Sequence, residues 1–225
     1  MPPMTHSTPQ PLAVHDLERL SYLDALVIQQ QTHQQVLDGG RPTLLLVEHD
    51  PVITVSRRRS APGNLLADAQ TLARLGIDVQ PTDRGGDVTY HGPGQLVAYP
   101  ILRLADLGLN VGRYMRLLEE VVIDTLTHWH VPAQRDPRAT GVWIGTDKIC
   151  AMGIRVRRNV TLHGLALNVD PDMSHFETIV PCGLCGRGVT SLQTLLGRKC
   201  PTMADVKAAL TATMQRHIAE QLTRA

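Results

Sequence analysis

The 225 residues carry 22 Lys and Arg against 21 Asp and Glu, a formal charge of +1, so no global field draws the chain to nucleic acid or anionic lipid. Aromatic residues are only 3%, which removes the stacking platforms of single-strand binders. Hydrophobic residues at 43% and charged residues at 19% fit a soluble globular protein with one sizeable core, and no run approaches the roughly 18 apolar residues of a membrane span.

Residues 1–12 hold four prolines and no Lys or Arg. They have neither the charged start and apolar core of a signal peptide nor the Arg-rich helix of an organelle-targeting segment, and read as a disordered tail on a cytoplasmic protein. Residues 13–225 then form one main domain, with a small C-terminal lobe starting near 180. Asp16 is an expected N-cap for a helix of about twenty residues with Leu17, Leu20, Leu23, Leu26 and Val27 on one face, stopped by Gly39-Gly40 and Pro42. Thr43 to Val47 and Val52 to Val55 read as strands broken by Pro51. Arg57-Arg58-Arg59 reads as a solvated loop in preference to an anion site. Leu65 to Leu75 is expected as a short helix closed by Gly76, and Ile77 to Val79 as a strand.

Residues 84–101 concentrate polar groups at bends. Arg84 precedes Gly85-Gly86, where the backbone is free to approach a ligand. Asp87 to His91 would put Val88 and Tyr90 on one strand face and Asp87, Thr89 and His91 on the other. Gly92-Pro93-Gly94 forces a turn, and Leu96 to Ile101 is apolar enough for a buried strand, which makes the stretch a hairpin. A tight core hairpin would explain the glycines but not an Arg, an Asp, a Thr and a His among them. Polar groups on rigid turns are the material of sites.

Beyond it, Asn110 to Trp129 reads as a helix with Met115, Leu118, Val122 and Leu126 inward. Gly141 to Gly145 and Ile149 to Val156 flank the turn Thr146-Asp147-Lys148, and Val160 to Val169 is another strand. Asp172 to Ile179 suits a short helix, and Val189 to Leu196 and Met203 to Leu222 are amphipathic. Neighbouring strands with helices between the groups give an α+β fold with a mixed or antiparallel sheet.

Two further pieces could carry chemistry. Lys148 closes a tight turn into an apolar strand, where it can bury its stem and bring the ammonium to a cleft, though taken alone it is as readily a surface lysine. Cys182 lies between Pro181 and Gly183, on a turn; taken alone it is a small buried residue or a nucleophile. The four cysteines, Cys150, Cys182, Cys185 and Cys200, fit a reduced compartment, where thiols react or bind metal more often than they staple. A free thiol has a pKa near 8.5, and a nearby ammonium favours the thiolate. Cys plus Lys is thus a workable acyl-transfer pair.

Taken together, 84–101, Lys148-Ile-Cys-Ala-Met-Gly-Ile, Thr161-Leu-His-Gly-Leu-Ala-Leu-Asn-Val and Val180-Pro-Cys-Gly resemble the octanoyltransferases of protein lipoylation, in consistent order over roughly residues 15–200. The resemblance implies the fold shared with lipoate ligases and biotin protein ligases. It implies that octanoyl moves from acyl carrier protein to a lysine of lipoyl domains, in 2-oxoacid dehydrogenase complexes and glycine cleavage H protein, through a cysteine thioester and with no cofactor or metal. By motif, Cys182 is the acyl-bearing nucleophile and Lys148 lowers its pKa. Arg84, Gly85, Gly86, Asp87, Val88, Thr89, Tyr90 and His91, with Ala151, Met152, Gly153, Gly164, Leu165 and Ala166, would line the acyl and carbonyl site. Burial at about 0.8 kcal/mol per methylene would select chain length.

Cys150 and Cys185 lie outside the family pattern, and Ser56 stands where Gly is expected. His49, His91 and His163 are read as ordering the pocket, with a role as bases as the alternative. Arg57 to Arg59, Arg155, Arg157 and Arg158 are candidate rims for the carriers, which are acidic in general, and a monomer is the default. Two other functions compete. An ATP-dependent lipoate or biotin ligase would need a Gly/Arg-rich adenylate loop, of which Arg84-Gly85-Gly86 is a partial echo. A structural zinc module would use Cys182-x-x-Cys185, but its second half has no matching pair.

Overall fold

The structure, a computed structural model, describes residues 11–180 and 187–224. Ten strands and five α-helices are described. The strands are β1 (Ala13–Leu20), β2 (Thr43–His49), β3 (Val52–Val55), β4 (Asp78–Pro81), β5 (Thr89–His91), β6 (Gln95–Ile101), β7 (Gln134–Asp136), β8 (Ala139–Ile144), β9 (Asp147–Arg157) and β10 (Val160–Asn168); the helices are α1 (Tyr22–Leu37), α2 (Ala69–Leu75), α3 (Val111–Thr127), α4 (Leu192–Leu196) and α5 (Met203–Leu222). A seven-stranded sheet runs β1-β2-β6-β10-β9-β8-β7 and a three-stranded sheet runs β4-β3-β5. Both are mixed: β1–β2 and β3–β4 pair in parallel, and the other neighbours are antiparallel. The expected α+β class is what the chain adopts.

One face of the large sheet packs against α3 and α5, whose Leu118, Val122, Leu126, Val206, Leu210 and Met214 are fully buried. The expected inward positions of α3 other than Met115 are among these residues. Asn110 caps that helix by accepting the Arg113 N–H, and Thr202 and Asp205 form a capping box on α5. Helix α1 covers the other face, with Ala25 and Val36 against Leu45, Val97 and Tyr99.

The N-terminal helix does not start at Asp16. Residues through Leu20 form β1, where Asp16 accepts the Glu18 N–H at 2.9 Å across an irregularity with Glu18 at φ 56°, and Ser21 is the cap. Leu23 and Val27 are about half exposed, while Gln29, Thr32 and His33 are buried. Beside Ala25 and Val36 the helix turns polar residues to the sheet, where Gln29 Oε1 accepts the His163 N–H at 3.1 Å.

Three other elements differ in extent. Helix α2 starts at Ala69, capped by Asp68, and not at Leu65, because the Leu66 and Ala67 N–H groups donate to Thr178 O. Helix α4 starts after Ser191, since Thr190 N–H donates to Lys148 O. The segment expected as a helix over Asp172 to Ile179 is a 3-10 turn, Met173–Thr178.

The 84–101 stretch is not a hairpin. Strand β5 pairs with β3 in the small sheet and β6 with β2 and β10 in the large one, so Gly92-Pro93-Gly94 is the crossing between sheets. Gly94 has φ +82°, and its carbonyl accepts the N–H groups of Val169 and Asp170 at 3.1 and 2.8 Å. A methyl there would sit on the Asp170 carbonyl. Gly94→Ala should therefore cost about 3 kcal/mol, from strain and clash together, read as a lowered urea midpoint; an unchanged midpoint would refute it.

Candidate active site

A pocket opens between the sheets, floored by Val97 and Tyr99 of β6, Ala151 to Gly153 of β9 and Gly164 to Ala166 of β10, and bounded by Tyr22, Arg84, Gly86, Thr89, His91 and His163. In β9 and β10 Ala151 faces Ala166 and Gly153 faces Gly164. Small side chains on one strand face leave a trough. Its enclosed volume is about 40 Å3, far below the roughly 300 Å3 or more of a typical ligand site, so a guest must displace side chains. A larger hollow of about 850 Å3 lies between α3 and the end of α5. It is open and holds none of the candidate residues.

The lid is Arg84 to His91. Gly85 N–H donates to Ile154 O at 2.9 Å, and a methyl on Gly153 would meet Gly85 O, so close approach explains that glycine. The Arg84 guanidinium donates to Thr54 Oγ1 from Nε (3.3 Å) and Nη2 (2.9 Å), to Thr54 O from Nη2 (3.0 Å), and to Gly85 O from Nη1 (3.0 Å). Asp87 faces away from the pocket. It accepts from Ser60, Asn64 and the Val88 N–H at 2.8–2.9 Å, and despite burial, hydrogen bonds from Asn64 and Ser60 lower its pKa. Val88 and Tyr90 lie in the small sheet's core with Ile53 and Phe176. Of the lid residues expected to line the site, Arg84, Gly86, Thr89 and His91 touch the pocket, while Gly85, Asp87, Val88 and Tyr90 support them from behind. All six positions expected from β9 and β10 line it.

Three buried histidines order this region. His49 donates Nδ1–H to Leu20 O at 3.2 Å and accepts the Tyr99 hydroxyl at Nε2, 2.7 Å. His91 donates Nδ1–H to Gln95 Oε1 at 2.7 Å, and Gln95 in turn donates to Asn168 Oδ1 at 2.9 Å. His163, at φ 58°, donates Nε2–H to Asp83 Oδ1 at 2.9 Å. Burial lowers their pKa values to about 4 for His49, about 3 for His91 and about 4 for His163. Arg84 adds to this at the last two. The Asp83 carboxylate opposes the fall at His163, but it already pairs with Arg155. The three are neutral at neutral pH, which suits ordering through hydrogen bonds. Tyr22, which donates to Thr82 Oγ1 at 2.8 Å, Val97, Tyr99 and Asp83 also belong to the region, and no local sequence signal marks them. Ser56 Oγ donates to Gly86 O at 3.0 Å and accepts the Arg58 N–H, a link that Gly could not make.

Lys148 is 6% exposed. Its stem runs past Gly141, where a methyl would come within 3.3 Å of Cε, and Nζ lies 4.7 Å from the centre of the Trp143 ring. Arg187 stacks on the same ring at 3.7 Å and donates to Asp136 at 2.5 Å. The Lys148 backbone is bracketed by 188–190: its N–H donates to Gly188 O and its C=O accepts the Thr190 N–H, each at 3.0 Å. Cys182 and Cys185 lie outside the described residues. Cys150 is fully buried, and burial raises its thiol to about 12. Among the described residues no group of three His, Cys, Asp or Glu could hold a metal ion, and no helix is long and apolar enough to cross a membrane.

This mixed sheet with a lidded trough is the catalytic fold of lipoate protein ligases: it superposes on the bipartite ligase of Thermoplasma acidophilum with a TM-score of 0.72, at 16% identity, over 95% of this chain and 85% of that one. The model of the lipoyl protein ligase A/B catalytic domain matches residues 21–215. An octanoyltransferase of Chloroflexus aggregans is 48% identical over 207 residues, 90% of this chain and 93% of its own length. A mitochondrial octanoyl-acyl-carrier-protein:protein N-octanoyltransferase of Danio rerio is 50% identical over 203 residues, 89% of each chain. The chain therefore belongs to the lipoyl protein ligase A/B catalytic family, among its octanoyltransferases, and is an acyltransferase.

Proposed function

We propose that the chain carries octanoyl from the thioester of acyl carrier protein to a lysine of lipoyl domains, those of 2-oxoacid dehydrogenase complexes and glycine cleavage H protein, by way of a thioester on Cys182. The Cys182 thiolate attacks the carrier thioester, and the carrier leaves as its thiol. The acceptor amine then attacks the enzyme thioester, forming the amide and releasing Cys182. Lys148, as an ammonium, favours the thiolate and takes part in proton exchange with the leaving thiol and the attacking amine. The observation that carries this reading is the bracketing of Lys148 by 188–190, which ties the segment following Cys182 to β9, the strand that bears the candidate lysine and, at Ala151 to Gly153, part of the trough floor. A trough that excludes water would also protect the intermediate from hydrolysis.

Intact-mass measurement after incubation with octanoyl-carrier should show one octanoyl adduct, mapped by peptide sequencing to Cys182. Transfer to a lipoyl domain should then proceed without ATP. An adduct that persists in Cys182→Ser and maps to Cys185, or an absolute requirement for ATP, would sink the assignment.

A further inference from the structure

The transfer proposed above sets the reacting group toward Lys148, which lies on β9 ahead of Ala151, the trough's first floor residue on that strand, and does not itself line the trough. Lys148 and Gly153 are five residues apart on β9, at most about 16 Å at the rise of a strand and less by the irregularity between Lys148 and Cys150, which face the adjacent residues Trp143 and Val142. Arg84 lies across Gly153: a methyl on that glycine would come within 3.2 Å of Arg84 Cδ and 3.5 Å of Nη1. Between the two ends the floor is Ala151 against Ala166, then Gly153 against Gly164. An acyl group attached beside Lys148 and laid along this floor points its terminal methyl at the methylenes of Arg84. Allowing one van der Waals contact of about 4 Å, at most about 12 Å remain. With bonds near 1.5 Å, a zigzag octanoyl chain spans roughly 10 Å and a dodecanoyl chain roughly 15 Å.

We propose that Arg84, pinned by Thr54, is the stop that limits the acyl group to about eight carbons, a reading that rests on the octanoyl transfer above. Three hydrogen bonds run from the guanidinium to Thr54, two of them to its hydroxyl. Thr54 is fully buried and lines no part of the pocket, so it acts only through Arg84 and is a positioning residue. A longer chain must swing Arg84 off these bonds. A shorter one leaves unfilled apolar floor. Length is thereby read by a hydrogen-bonded side chain in place of a rigid wall.

The test measures kcat/KM with octanoyl-, decanoyl- and dodecanoyl-carrier for the wild type, Thr54→Val, Thr54→Ser and Arg84→Met. Thr54→Val keeps the shape and removes the hydroxyl, and should raise the dodecanoyl-to-octanoyl ratio about tenfold, within the range that methylene discrimination spans. Thr54→Ser should restore the wild-type ratio, a rescue that a general packing defect would not show. Arg84→Met, unbranched and untied, should relax length in the same direction even if Thr54→Val folds poorly. Wild-type octanoyl transfer with the same ratio in Thr54→Val and Arg84→Met overturns the stop and leaves the transfer reading standing. No octanoyl product from the wild type overturns that reading and the stop with it.

Discussion

Replacing Lys148 with methionine should lower octanoyl transfer by about three orders of magnitude, within the usual range for a positioned proton-transfer group. Methionine preserves most of the stem that packs against Gly141, so the fold should survive; the ammonium over Trp143 is lost, a contact worth about 0.5–2 kcal/mol. Two separable defects are expected. Without the ammonium the Cys182 thiol titrates higher, and its alkylation at pH 7 slows, because an adjacent cation shifts a partner by about one to three units. The acceptor amine also loses its proton-transfer partner. Lys148→Arg divides the two: it keeps the positive charge but cannot give up a proton at neutral pH. Alkylation by iodoacetamide should stay fast in that variant while aminolysis of the acyl-enzyme slows. Wild-type alkylation and transfer rates in Lys148→Met would remove the lysine from the reaction.

The parts of the fold legible beforehand are those whose signal is local. Strand β3 is bounded by Pro51 and a charged loop, and α5 by the Thr202 cap and a continuous apolar face; both have the expected bounds. Helix α1 departs from its expected start because leucine spacing across two elements imitates one helix, while its buried face mixes Tyr22, Ala25 and Val36 with the polar Gln29, Thr32 and His33. Gln29 is inside because it accepts the His163 N–H, and His33 bonds the backbone at Arg157 and Val160, reasons that exist only in three dimensions. The 84–101 stretch shows the same division. Its turn and both strands were readable from Gly-Pro-Gly and the apolar run. That the strands enter different sheets depends on pairings with β3 and β10, 30 to 70 residues distant in sequence. Within the candidate site, the motif located the floor and half of the lid; strand alternation separates Thr89 and His91, which face the trough, from Val88 and Tyr90, and of that stretch only Asp87 departs, turned away to Ser60 and Asn64. The small residues explain the difference in legibility: Gly153 and Gly164 are needed where backbones touch, and such contacts leave a mark in sequence that Tyr22 and Tyr99 do not.

The histidines that order the pocket should also make the protein acid-sensitive well above the carboxylate range. In the unfolded chain each titrates near 6.5. Folded, His49 and His163 stay neutral down to about pH 4 and His91 to about pH 3. Between those limits the unfolded state binds protons that the native state refuses, so stability is fully present above pH 6.5 and falls as pH drops below it, the loss levelling off only below about pH 4. From pH 7.5 to 5.5 each such histidine contributes about 1.4 kcal/mol of lost stability, so His49 and His91 give about 3 kcal/mol and His163 brings the total to about 4. That is a large share of the roughly 5–15 kcal/mol that holds an ordinary domain together. Asp87 and Asp124, whose pKa values are lowered in the fold, add their own loss only at lower pH, which keeps the two effects apart. Urea unfolding at pH 7.5, 6.5 and 5.5 should show the decline. His163→Asn, a residue that tolerates φ near +58° and still offers an N–H to Asp83, should flatten it by about a third. Stability that is constant from pH 7.5 to 5.5 would mean these rings are not held neutral, and the hydrogen-bond directions assigned around the pocket, from Tyr99 to His49 above all, would have to be reversed.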